Sequence, residues 1–201
     1  GGAQAAFGVR PDLTSFAKIL AGGLPGAAVV GRKDILDQLD FSVAARTGKE
    51  KIQHQGTFNA NPVSAAAGVA ALTKIAETDV ADKASETAAY LRDRVNAVFA
   101  EEKVGWGMYG TFSGFHTFLG GEGIRVEPGR FDPTGVPMAV LKSQPKSLSH
   151  KLRLALLANG VDVNGRIGGF LSATHSRADA DETAEYFRSA IGMLRSEGEI
   201  A

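Results

Sequence analysis

The stretch that decides the fold is Pro11-Asp12-Leu13-Thr14-Ser15-Phe16-Ala17-Lys18-Ile19-Leu20-Ala21-Gly22-Gly23-Leu24-Pro25-Gly26-Ala27-Ala28-Val29-Val30-Gly31-Arg32. Its first part reads as a short buried strand over 12–17 following Pro11, with Lys18 at the strand end. A glycine-rich turn follows, then a second short strand over 27–30 and one or two helical turns over 32–39. A lysine held among apolar side chains has its charged form disfavoured, which frees the amine for imine formation with a carbonyl. The same local pattern also suits a lysine that snorkels from a strand end to water.

Downstream, the polar stretch 40–55 reads as a loop. The segment His54-Gln55-Gly56-Thr57-Phe58-Asn59-Ala60-Asn61-Pro62 then leads into an alanine-rich run to Ile75, with proline in the first turn and strong helix formers after it. That run is expected to be a tightly packed helix. Gly56 allows close backbone approach, and the Thr57 hydroxyl with neighbouring amides near a helix start can donate to a phosphate. An ordinary capped helix start is the other reading of the same residues.

From Asp79 to Glu101, Val80, Ala84, Ala88, Leu91, Val95 and Val98 recur in steps of three and four, which predicts an amphipathic helix whose charged face, Asp82 to Arg94, meets solvent. At Gly105 the texture changes. Residues 106–120 are aromatic, β-branched and uncharged, which predicts two strands broken near Ser113-Gly114 and a domain boundary near residue 104. A long surface loop is expected over 121–145 and a helix over 145–159, stopped by Asn159-Gly160. Short strands are expected at 161–163 and 169–173. The last helix is expected to start at the acidic Asp179 and Glu182 and to bury Ala184, Phe187, Ile191 and Leu194.

Composition narrows the chemistry. The 201 residues carry 22 basic and 22 acidic side chains, so there is no basic field to hold a nucleic-acid backbone. With no cysteine, disulfides, thiolate metal sites and cysteine nucleophiles are excluded, in keeping with a cytoplasmic location. The longest weakly polar stretch, 19–31, is too short and too rich in glycine to span a bilayer. His54, His116, His150 and His175 show no metal-ligand spacing, so no metal is assigned, and His116 reads as a satisfied core histidine. Arg166 suits either a bidentate grip on a substrate carboxylate or a solvated loop. The first residues, Gly1-Gly2-Ala3-Gln4, lack a methionine and the regions of a secretory signal, and the chain is expected to be part of something longer.

Taken together, Pro11-Asp12-Leu13, Lys18, Gly22-Gly23-Leu24-Pro25-Gly26-Ala27, Gly31-Arg32, then Gly56-Thr57-Phe58 and Asn61-Pro62 resemble the class III, fold type I, pyridoxal-phosphate aminotransferases, and within them the glutamate-1-semialdehyde 2,1-aminomutase branch. Tyr109 to Gly120 and Ala173-Thr174-His175-Ser176 match more softly. The resemblance implies an α/β fold: a partial large domain with a mainly parallel sheet over 1–104 and a small α+β domain over 105–201. It implies pyridoxal 5'-phosphate as cofactor, held by Lys18 as a Schiff base, and amino-group transfer on an amino or keto acid or a semialdehyde. Gly56 and Thr57 would bind the cofactor phosphate, Thr57 that of the partner subunit, so a homodimer is implied. A full family member is roughly twice this length, so the chain is expected to be its C-terminal half, without the main phosphate cup and the carboxylate that pairs with the pyridinium nitrogen; Asp12 and Asp34 do not replace that carboxylate. A catalytically silent fragment acting as a structural or dimerisation unit is the alternative.

Overall fold

The structure, a computed structural model, describes residues 2–121, 124, 126–127 and 130–201. Its contacts divide the chain into two compact units, Gly1–Thr78 and Asp79–Ala201.

The first unit opens with a short helix, α1 (Gly2–Phe7), absent from the sequence reading, and continues into β1 (Leu13–Phe16). A 3-10 turn at Lys18–Ala21 follows, then β2 (Ala28–Gly31) and α2 (Lys33–Leu36), which runs into a second 3-10 turn at Asp37–Leu39. β1 and β2 pair antiparallel from Leu13 opposite Gly31 to Phe16 opposite Ala28. The mainly parallel sheet expected here is therefore not present among the described residues, where every ladder is antiparallel. The physical reason is the short connection: a parallel crossover needs a dozen or more residues, whereas the 3-10 turn and glycines between β1 and β2 fold the chain straight back. β1 is also not buried, since only Thr14 is partly covered.

Part of the stretch read as a loop is a helix, α3 (Phe41–Thr47). Asp40 caps it by accepting from the Ser42 amide at 2.7 Å, and Gly48 closes it in the left-handed region. The signal was legible as an aspartate before and a glycine after a short helix-forming run. α4 (Pro62–Glu77) starts where expected, with Asn61 accepting from the amides of Val63 and Ser64 and proline in its first turn. It is not tightly packed: Gly68 is its buried residue, and Val63, Val69, Leu72 and Ile75 are exposed.

The second unit begins with α5 (Val80–Glu101), which buries Ala84, Ala88, Leu91, Val95, Val98 and Phe99. β3 (Gly107–Tyr109), β4 (Gly114–Phe118) and β5 (Gly168–Phe170) form an antiparallel sheet in that order. Of the loop expected over 121–145, residues 122, 123, 125, 128 and 129 lie outside the described residues. The remainder carries a 3-10 turn at Pro133–Gly135 and the short α6 (Met138–Lys142). α7 (Lys146–Ala158) ends at Asn159 and the left-handed Gly160. α8 (Arg177–Ser196) closes the unit.

One face of the sheet, with Met108 and Phe115, packs with α5, α7 and α8 around Phe99, Trp106, Leu152, Leu156, Phe187 and Ile191. Phe99 meets Trp106 and Phe187 edge to face, at 5.7 and 5.8 Å between ring centres. Because the stripe of α5 is spent on this core, α5 belongs with the second unit. The change of texture at Gly105 marks the first strand of that unit, and the compact units themselves divide at Thr78–Asp79.

Three further readings change. Residues 161–163 are not a strand; the Val163 carbonyl accepts from Arg153 Nε at 2.7 Å instead of joining a ladder. α8 starts not at Asp179 and Glu182 but at Ser176, in a reciprocal capping box with Asp179. His116 is exposed, on the sheet face away from the core, with its ring 5.6 Å from that of Tyr109. Strand alternation sets His116 on the face opposite Phe115 and Thr117, beside Gly114 and the buried Phe118, and on that face it is the exposed residue of β4.

Candidate active site

Lys18 opens the 3-10 turn with φ of 57°, a left-handed backbone that side chains with a Cβ rarely adopt. The turn is closed by hydrogen bonds from the Leu20 amide to the Ala17 carbonyl at 3.3 Å and from the Gly22 amide to the Ile19 carbonyl at 3.0 Å. It carries the lysine past the end of β1 and over an open hollow of about 1290 Å³. Lys18 is exposed there rather than enclosed by apolar side chains. Among the described residues Nζ has no hydrogen-bond or ion-pair partner.

The hollow lies wholly within the first unit. Its polar lining comes from Ser15, Lys18, His54, Asn59, Asn61 and Ser64, and the rest is apolar, including Phe16, Leu20, Phe58, Val69 and Leu72. On α4 the lining residues Asn61, Ser64, Ala65, Gly68, Val69 and Leu72 follow helical spacing. Sequence reasoning did not single out Ser15 or Ser64, and weighed His54 only as a metal ligand. The available signal was the i, i+3, i+4 series on α4, a helix expected only to be tightly packed, which instead walls the hollow.

Gly56 and Thr57 do not line the hollow. They stand exposed in the turn that leads to α4, where the Asn59 amide donates to the Gly56 carbonyl at 3.0 Å and Asn59 Nδ2 to the His54 carbonyl at 3.3 Å. Of the three residues predicted for the site, Lys18 lines the hollow, while Gly56 and Thr57 do not, although their neighbours His54 and Phe58 do.

Around the mouth of the first unit, Arg32 binds Asp34 at 2.7 Å and Asp12 at 2.7 Å. The guanidinium hydrogen bonds hold the Asp34 carboxyl below its ordinary range and raise Arg32. Asp12 thereby ties the residue before β1 to Arg32 at the start of α2, and Asp34 pairs with Arg32 within that start. In the second unit Arg166 is exposed, its amide donating to Asn164 Oδ1 at 2.9 Å. Burial pushes the neighbouring Tyr109 hydroxyl up, partly offset by the charge of Arg166. Among the described residues no group of three or more histidines or carboxylates is placed to hold a metal, and no helix is long and apolar enough to cross a membrane.

The fold is that of the transaminases. A solved ω-transaminase from Sphaerobacter thermophilus superposes with a TM-score of 0.76 at 29% identity, covering 97% of this chain and 41% of that one. A transaminase solved with PLP bound superposes with a TM-score of 0.78 at 24% identity, covering 99% and 42%. The family model of the class III aminotransferases matches residues 2–110, and the chain belongs to that family. Among curated relatives, the glutamate-1-semialdehyde 2,1-aminomutase of Methanosarcina acetivorans is 33% identical over 189 residues, covering 93% of this chain and 40% of the relative. The chain spans about 40% of the length of such relatives.

Proposed function

We propose that this chain carries part of a pyridoxal-phosphate-dependent enzyme that transfers an amino group, as an aminotransferase or a 2,1-aminomutase, on an amino or keto acid or a semialdehyde. The observation that carries the reading is the placement of Lys18 over a mostly apolar hollow whose lining includes the hydroxyls of Ser15 and Ser64 and the amides of Asn59 and Asn61. The hollow exceeds the roughly 300–1,000 Å³ typical of small-ligand pockets, which leaves room for a cofactor and a substrate together. An unpaired primary amine beside neutral donors is the donor set that a phosphorylated aldehyde requires.

Lys18 would hold the cofactor covalently through Nζ. When bound, pyridoxal phosphate supplies an electron sink for the bonding pair released at the substrate carbon. Lys18 Nζ would then be the group that takes the proton from the substrate carbon and returns it. Gly56 and Thr57 would bind the cofactor phosphate, Thr57 that of a second copy in a homodimer. The first unit would then be the part of the large domain that holds the reacting lysine, and the second the small domain.

A second reading, a catalytically silent unit that acts only through its contacts, is favoured by the exposed apolar side chains of α4. Reductive trapping separates the two. Borohydride treatment of the full chain with pyridoxal 5'-phosphate, followed by peptide mapping, is expected to place the pyridoxyl group on Lys18. Labelling spread over Lys33, Lys49, Lys51 and Lys74 without preference would favour the silent unit.

A further inference from the structure

We propose that Gly68 of α4, together with Gly22, is a positioning residue for Lys18: the two glycines interlock the 3-10 turn with the helix and so set where the lysine amine stands over the hollow. The inference rests on the reading of Lys18 as the amine that holds the cofactor.

Gly68 occupies the interior of a sixteen-residue helix with an ordinary helical backbone, a place where alanine is favoured and no turn calls for glycine. Close approach explains it. A Cβ at this position would lie 2.8 Å from the Leu20 carbonyl oxygen and 3.6 Å from Ala21 Cα, both backbone atoms of the turn. The reciprocal contact is made by Gly22, whose φ is 60° and whose Cβ would lie 2.7 Å from the Ala67 carbonyl oxygen. The helix thus receives the backbone of the turn at Gly68, and the turn receives the backbone of the helix at Gly22. Ala21, between the two contacts, is buried.

This seat accounts for the backbone of Lys18. A left-handed lysine persists only where its surroundings determine it, and its side chain has no partner among the described residues to do so. The constraint comes instead from the turn that Lys18 begins, which is pressed against α4 one residue pair at a time. Adding a methyl group at Gly68 meets backbone rather than a flexible side-chain tip, so the turn itself must move, and Lys18 moves with it.

The test uses the full chain in three variants: Gly68→Ala, Gly22→Ala, and Ala70→Val as a control on a residue of α4 outside the hollow. Alanine is the better helix former, so Gly68→Ala is expected to keep α4 by circular dichroism. Amide hydrogen exchange at Leu20, Gly22 and Leu24, measured without cofactor, is expected to quicken at least about tenfold in both glycine variants and not in the control. After reductive trapping with pyridoxal 5'-phosphate, the ratio of label on Lys18 to label on Lys74, which lies on α4 itself, is expected to fall about tenfold in both. A general loss of structure would change labelling at both lysines and leave no such selective fall. Wild-type exchange and a wild-type ratio in a Gly68→Ala chain that keeps α4 would overturn the proposal. Should Gly68→Ala lose α4, a fourth variant, Gly22→Asn, whose side chain tolerates the left-handed backbone there and which leaves the helix sequence untouched, decides by the same two readouts. Absence of any preference for Lys18 in the wild-type chain would defeat the functional reading, while the exchange measurement would still decide whether the seat exists.

Discussion

Helices α4 and α5 follow one another along the chain and are both long, yet they are used in opposite ways. α5 alternates an apolar stripe with a charged face and buries six residues of the stripe against the sheet and α8. α4 is small and apolar around most of its circumference, and Gly68 is its one buried residue. Val69 on α4 is 66% exposed, whereas Val95 on α5 is fully buried. The contrast extends to the units that hold them: among the described residues, the buried apolar side chains apart from Ala21 belong to the second unit. A helix that is apolar all round is built for cover on several sides. The second unit therefore has a core of its own, while the first has the surfaces of a core, shaped around a hollow and a lysine.

The largest expected effect would break this contrast if it failed. Phe187→Ala removes a fully buried ring from the second unit and is expected to cost about 3–5 kcal/mol. Val69→Ala in the first unit is expected to stay within about 0.5 kcal/mol. Urea unfolding of the full chain measures both, with the buried Trp106 reporting on the second unit. An equal cost at the two positions would mean that α4 is packed in solution.

A cap substitution sharpens the comparison at smaller scale. Ser176→Ala removes the acceptor for the Asp179 amide at the start of α8 and is expected to cost about 1 kcal/mol in the same assay.

The smallest expected effect is one of pH. Arg195, and after it Arg188, hold the Glu102 carboxyl below its ordinary value by hydrogen bonds, from Arg195 at 2.5 Å and Arg188 at 3.0 Å. A carboxyl lowered in the folded state lends stability that is present above its unfolded value and is lost as pH falls through the folded one. The second unit is therefore expected to weaken as pH drops below about 5, and Glu102→Gln to flatten that acid limb. Parallel acid slopes for the two proteins would show that the pair does not contribute.

Much of this molecule was legible where a local rule and its tertiary use coincide. The stripe of α5 predicted five of its six buried residues, all but Phe99, and added the half-buried Val80, because an amphipathic pattern names the face that will be covered. β1, β2, β3 and β4 fell where β-branched and aromatic runs were bounded by glycine and proline. The capping aspartate of α3 and the serine of α8 were present in the sequence and passed over, since polar residues in short segments signal loop and cap alike. Residues 161–163 read as a strand because valines favour one, but no neighbouring strand was available to complete a ladder.

By itself the sequence determined the longer helices and most of the strands, the absence of thiol chemistry and, through the Lys18 and Gly56-Thr57 motifs, the family resemblance that the comparisons bear out. These follow from side-chain chemistry and short-range spacing, which need no partner in space. Tertiary structure alone decided that β1 and β2 pair antiparallel, that α5 belongs with the sheet, and that Lys18 shares a hollow with Ser15, His54 and Ser64 but not with Thr57. It alone showed why α4 carries a glycine in mid-helix. The reason is the same in each case: strand direction, the face a helix buries and the closeness of two backbones are set by what lies across the contact, and a linear pattern does not encode distance.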